Sequence, residues 1–141
     1  MPKLYQLIGT LAAMNQEEEI SYLKAIRLFN SNGTECAFET GKITTQLKIA
    51  VDYFFCQTKV DAYEKVAHPA PRRQFVVTLK GKLRFKVSNG STFILEPGII
   101  LLAEDTAGAG HTWEILDGDQ WERIYIPLNA ESEHHFIADD K

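Results

Sequence analysis

An alternating run over residues 82–87 most constrains the fold of this chain. Leu83, Phe85 and Val87 are apolar and the residues between them are basic, which is the two-residue period of a strand with one buried face. An Asn-Gly turn at 89–90 follows directly, and such a turn closes hairpins because both residues tolerate positive φ. We therefore expect the middle of the chain to form antiparallel β-sheet.

The flanking segments show the same pattern of short apolar runs and turns. ISYLKAIRLF, from Ile20, and a run over 49–56 both read as strands. Near the C-terminus, HTWEIL and WERIYIPL flank DGDQ, which predicts a last hairpin. No part of the main body keeps a 3.6-residue apolar period, so the prediction is an all-β domain with little helix.

Composition limits the classes of function. At 141 residues, 45% of them hydrophobic, the chain suits one domain with an adequate core. A net charge of −4 argues against a nucleic-acid surface, and no apolar run approaches the length of a membrane span. Cys36 and Cys56 match no CxxC spacing and are expected to be free thiols in a reducing cytoplasm. A disulfide between them stays open.

The sequence divides into three parts. Residues 1–19 read as an N-terminal extension that is expected to be flexible; either it packs as a short element or Met14 is the true start. A signal peptide is disfavoured, because no A-x-A site follows and an EEE run comes instead. Residues 20–130 form the predicted barrel domain. Residues 131–141 read as a frayed polar tail, with His134 and His135 in solvent.

Two spaced motifs lie within residues 68–111. The first is His68-Pro69-Ala70, three residues, Gln74, six residues and Gly81; the second is Gly90, Pro97, Gly98 and His111. Both resemble the motifs of the cupins, which are small jelly-roll β-barrels built from an antiparallel double sheet. The blocks HPAPRRQFVVTLKG and LLAEDTAGAGH resemble those of short single-domain cupins without an assigned activity.

The resemblance implies a metal site with substitutions. Carried over by position, the metal ligands are His68, Gln74 and His111, with Ala70 where metal-binding cupins have a second His and Gln74 where they have a Glu. The set lacks an anionic ligand, which Glu104 or Asp105 would supply if the loop before His111 folds inward. A divalent Fe, Zn, Ni or Mn ion is the candidate cofactor.

Three functions follow as hypotheses. The first is a small-molecule-binding cupin with a pocket inside the barrel lined by His68, Gln74, His111 and the two acidic residues; Arg72 and Arg73 would attract an anion, and His111 would be the catalytic acid or base if the protein is an enzyme. The second is a metal-dependent oxygenase or isomerase using His68, His111 and a carboxylate. The third is a non-catalytic ligand sensor or interaction module. A homodimer is implied by the resemblance, and neither nucleic acid nor membrane is an expected partner.

Overall fold

The computed structural model describes residues 20–140. Its strands are β1 (Tyr22–Asn30), β2 (Cys36–Thr44), β3 (Phe55–Gln57), β4 (Gln74–Val87), β5 (Thr92–Leu95), β6 (Ile100–Ala103), β7 (His111–Pro127) and β8 (Phe136–Ala138). A single 3-10 turn, Ala62–Lys65, is the helical element of the described part. The all-β prediction with little helix is confirmed. The described chain contains no helix that is both long and apolar enough to span a membrane.

All eight strands belong to one sheet in the order β3-β7-β4-β6-β1-β2-β8, with β5 also paired to β4. β4 is long enough to take two partners on one edge, β6 along its first half and β5 along its second. One pair is parallel, β1 with β6, where we expected an antiparallel arrangement. The sheet is therefore mixed. β3 and β8 are its two edge strands in the described chain, so hydrogen bonds do not close it into a barrel.

The sheet is curved around one main core. Inward residues of β1, β2, β4, β5, β6 and β7 enter the same apolar cluster, among them Leu28, Val76 and Leu101. Their neighbours in sequence point to the other face, where a smaller cluster contains Phe75 and Leu102. Both faces of β4 are thus apolar near its start, as expected for a strand covered on two sides.

Three local predictions differ from the structure. Residues 111–127 form the single strand β7 instead of a hairpin, paired with β4 from one end to the other through several register irregularities. The strand predicted over 49–56 is limited to β3. Part of the predicted polar tail forms β8, which pairs with β2. The predicted flexible extension, 1–19, lies outside the described residues.

Candidate functional site

A small cavity opens within the main core. It is lined by Tyr63, Glu64, His68, Ala70, Pro71, Gln74, Val76, Phe85, Leu101, Ala103, His111, Trp113, Trp121 and Tyr125. Its free volume is about 30 Å³, which admits a water molecule or a hydroxyl group but no ring. The three residues predicted to line a pocket, His68, Gln74 and His111, all belong to this wall.

The two histidines are brought together by their backbones. His68 and His111 exchange both N–H···O=C bonds, at 3.1 and 3.0 Å, in an isolated antiparallel bridge. Their rings consequently lie side by side, with centroids 4.7 Å apart. His111 also stacks on Phe85, at 5.5 Å. A loop residue and the first residue of β7 are in this way held as a pair against the cavity.

The hydrogen bonds of the two rings decide which nitrogen each offers. His68 Nδ1 lies 2.8 Å from the carbonyl oxygen of Val66, and a carbonyl can only accept, so Nδ1 carries the hydrogen. His111 Nδ1 donates to Asp105 Oδ2 at 2.7 Å. Neither Val66 nor Asp105 lines the cavity. The nitrogen that each ring leaves without a hydrogen bond in the described chain is therefore Nε2, and both histidines line the cavity.

His111 belongs to a buried cluster of three polar side chains, together with Cys36 and Asp105. The Cys36 thiol donates to the same Asp105 oxygen, Oδ2, at 3.3 Å. The ligand-type atoms of the three residues all lie within 4.8 Å of one another. Burial, reinforced by the Asp105 carboxylate, raises the pKa of Cys36 far above that of an ordinary thiol. The other carboxylate oxygen, Asp105 Oδ1, is buried without a hydrogen-bond partner in the described chain.

The loop before His111 needs its glycines. Gly110 has φ +75°, and a Cβ there would overlap the backbone of His68. Gly108 has φ +77°, and a Cβ there would overlap the backbone of Thr34. Only glycine combines a positive φ with so close a contact to another backbone segment. The two glycines of the AGAG run therefore determine the path of the loop between Asp105 and His111.

Gln74 and Arg72 form one side of an outer cleft. Arg72 Nη1 donates to Gln74 Oε1 at 2.9 Å, and Arg72 makes no ion pair with any described residue. A cleft of about 240 Å³ is lined by Arg72, Gln74, Tyr63, Glu64 and Tyr125, among others. The last four also line the inner cavity, so Arg72 stands at its entrance.

Arg73 and Glu104 lie elsewhere. Glu104 accepts from Arg27 Nε at 2.6 Å and from Arg73 Nε at 2.9 Å. Its burial alone would raise its pKa, but the bonds from the two arginines outweigh that effect and lower it. Neither Arg73 nor Glu104 lines the cavity. Asp105, the other predicted carboxylate, also lies outside the cavity lining, and it accepts a hydrogen bond from His111.

A second buried polar network, centred on Glu64, also borders the cavity. The Glu64 carboxylate accepts from Arg123 at 3.2 Å, from the Tyr125 hydroxyl at 3.0 Å and from the backbone N–H of Asp61 at 2.9 Å. Arg123 further donates to the Tyr125 hydroxyl and to the carbonyl oxygens of Lys59 and Trp121. Every charged atom of this network has a partner.

The sequence did not reveal several members of these sites, among them Cys36 and Glu64. Cys36 was expected to be only a free thiol, and both cysteines are free in the structure, Cys36 buried and Cys56 exposed. Glu64 gave no signal, since it sits in a polar stretch that reads as a connector. The aromatic residues Trp113 and Trp121 line the cavity, whereas Tyr53 and Phe54 are exposed.

Comparison of the chain with known proteins finds no matching family model, no matching curated protein and no matching solved structure. The resemblance to cupins therefore stays an interpretation of the motifs.

Proposed function

We propose that this protein is a small-molecule-binding protein of the cupin type, whose ligand carries an anionic group and a hydroxyl group. The observation that supports it best is the pair of imidazoles that line one cavity, with both Nε2 atoms left without a hydrogen bond in the described chain. A lone pair on Nε2 accepts a hydrogen bond from a hydroxyl group. The small inner volume fits such a group and excludes larger ones.

The outer cleft supplies the anion site. Arg72 is a cation without a carboxylate partner in the described chain, and a guanidinium binds a carboxylate through two parallel N–H···O bonds. A ligand with its carboxylate on Arg72 would direct a hydroxyl group inward past Gln74. If the protein is an enzyme, His111 is then the base that removes the hydroxyl proton, and Asp105 orients the ring.

Binding of two matched probes tests the proposal. Calorimetric titration with lactate and with propionate compares acids that differ by one hydroxyl group. We expect lactate to bind about tenfold more tightly, since one hydrogen bond contributes about 1–1.5 kcal/mol. His68→Phe keeps an aromatic ring without Nε2 and is expected to reduce that preference, while Arg72→Gln weakens both acids by about tenfold or more.

The matched control is Arg84→Gln. Arg84 is exposed and pairs with Glu114 on the outer surface, so its loss leaves both affinities unchanged. Equal affinity of lactate and propionate, or binding that is indifferent to Arg72→Gln, would refute the proposal. If no small acid binds at all, the protein is better explained as an interaction module, which was the third hypothesis.

A metal-dependent oxygenase or isomerase is the second candidate. The tautomers favour it, because a metal-binding imidazole commonly donates its other N–H to a carboxylate or a backbone carbonyl, as His111 and His68 do. A carboxylate ligand is the missing part. Glu64 is the carboxylate that lines the cavity, and its oxygens are engaged by Arg123, Tyr125 and the backbone of Asp61. The metal-free pocket is therefore preferred.

A homodimer is proposed as the assembly. Exposed apolar side chains, among them Leu47, Val51, Tyr53 and Phe54, occur close together in sequence before the edge strand β3, and such surfaces favour association. Light scattering at working concentration tests it, and a monomer there would remove the dimer.

A further inference from the structure

The geometry points to a metal site that lies beside the cavity and shares only His111 with its wall. We propose that Cys36, Asp105 and His111 bind one divalent cation of zinc-like softness through Sγ, a carboxylate oxygen and Nδ1. The three residues come from different parts of the sheet: Cys36 begins β2, Asp105 follows β6 and His111 begins β7. All three side chains are buried.

The donor set suits zinc. Thiolate, imidazole and carboxylate are the three protein ligands of Zn²⁺, and three of them leave a fourth position for water. In a tetrahedral site two ligand atoms stand about 3.2–3.7 Å apart. Cys36 Sγ and Asp105 Oδ2 are 3.3 Å apart; the distance of 2.7 Å from Oδ2 to His111 Nδ1 would lengthen as the hydrogen between them is replaced.

An orphaned oxygen points independently to a ligand. Asp105 is 0% exposed, and its Oδ1 is the one buried side-chain polar atom of the described chain without a partner. An unpaired buried carboxylate oxygen is costly. A cation held by the cluster would satisfy it, either directly or through a bound water.

The charge balance supports the same conclusion. No lysine or arginine pairs with Asp105 in the described chain; its side-chain partners are the Cys36 thiol and His111. On binding M²⁺, Cys36 loses its proton to solvent, because a coordinating thiol is deprotonated. The hydrogen of His111 moves from Nδ1 to Nε2 and the ring stays neutral. Two anionic ligands and one divalent ion then give a neutral buried site.

This tautomer change would couple the site to the cavity. In the metal-free state His111 Nε2 is a hydrogen-bond acceptor for the cavity, and with metal on Nδ1 it becomes a donor. The metal proposal does not depend on the ligand proposed for the cavity. It requires only the three side chains and a route inward, and a surface depression lined by Ala109, Gly110 and Val87 reaches His111.

The test uses the full chain after chelation, reloaded with Zn²⁺ or Co²⁺. The chain has two cysteines, and Cys56 is exposed, so Cys56→Ser should fold normally. In that variant a thiolate-to-cobalt charge-transfer band can arise only from Cys36. We expect the band at about one cobalt ion per chain, and elemental analysis should give about one zinc ion per chain.

Two further variants separate this site from a metal held in the cavity. Cys36→Ser is expected to reduce the bound zinc to a small fraction of one ion, whereas His68→Phe should retain it. The opposite result, zinc lost in His68→Phe and retained in Cys36→Ser, would place the ion in the cavity and overturn the proposal. Absence of the charge-transfer band in Cys56→Ser would overturn it without relying on the folding of any cluster variant.

Discussion

Two buried polar clusters flank the same cavity and differ in how well their charges are satisfied. In the Glu64 cluster, carboxylate and guanidinium are both buried, and each is completed by a tyrosine hydroxyl and backbone groups. In the Asp105 cluster one carboxylate oxygen accepts hydrogen bonds from an imidazole and a thiol, and the other has no hydrogen-bond partner in the described chain. The first arrangement is typical of a structural cluster. The second, with an unsatisfied buried oxygen, is typical of a binding site.

The hydrogen-bonded network around Arg123 holds neighbouring segments of the chain together. Arg123 connects β7 to the carbonyl of Lys59 and to Glu64 in the 3-10 turn. It also lies over the rings of Trp121 and Tyr125, at 4.5 and 5.3 Å. The Tyr125 hydroxyl donates to Glu64, and burial raises the pKa of Tyr125 above its ordinary value. Arg123 thereby holds the segment that contains Lys59 and Glu64 against β7, beside the cavity.

Arg123→Met should give the largest effect. It leaves the Glu64 carboxylate buried without its cation, and breaking a buried ion pair costs about 3–5 kcal/mol of unfolding free energy. Urea denaturation measures it. The matched control is Arg84→Met, where the pair with Glu114 is exposed and the expected loss is below about 1 kcal/mol. Equal losses in the two variants would contradict the difference drawn between buried and surface pairs.

Gly110→Ala should come next. The added Cβ overlaps the His68 backbone, and the residue must keep φ at +75°; we expect a loss of about 2–3 kcal/mol. Gly90→Ala is the control, because Gly90 also has positive φ, +98°, but open space around its Cβ position. It should lose about 1 kcal/mol. If thermal unfolding shows the same loss for both, the close approach of His68 to the loop is not as described.

Asp105→Asn should have the smallest effect on stability in metal-free protein. The variant keeps an oxygen for His111 and removes a buried charge that has no cationic side chain from Lys or Arg beside it, so we expect a change below about 1 kcal/mol. Glu64→Gln, the same substitution in the saturated cluster, should cost about 3 kcal/mol. Zinc should raise the thermal midpoint of the wild type and not that of Asp105→Asn. A large loss in metal-free Asp105→Asn would show that the cluster is structural.

Local patterns predicted the elements well where one face is buried. Leu83, Phe85 and Val87 are 0%, 1% and 1% exposed, as their alternation with basic residues requires. The hairpin predicted around DGDQ is wrong because β7 passes these residues opposite irregular register in β4, between Thr78 and Leu83. Two strands that bend together absorb turn-forming residues without reversing, and no local signal reveals the partner strand.

The site was predictable only in part. The resemblance to the cupin motifs implied that His68, Gln74 and His111 share a pocket, and all three line the cavity. Cys36 could not be placed, since its nearness to Asp105 depends on β1 pairing with both β2 and β6. Asn30 completes that junction by bonding the backbone of Ala107 at 3.0 and 3.1 Å. These contacts join residues too far apart in sequence for any pattern to relate them.

The parallel pairing of β1 with β6 also has a kinetic consequence. Leu28 and Ala103 are partners across this pair, although their positions lie about 75 residues apart in the sequence. Closing so long a loop costs chain entropy before any contact repays it, and proteins dominated by such pairings fold in about milliseconds to seconds. The β4–β5 hairpin can form early, whereas the Cys36–Asp105–His111 junction must await the closure of β1 on β6. We therefore expect the Cys36 thiol, which is buried in the folded protein, to remain accessible to solvent until β1 has paired with β6.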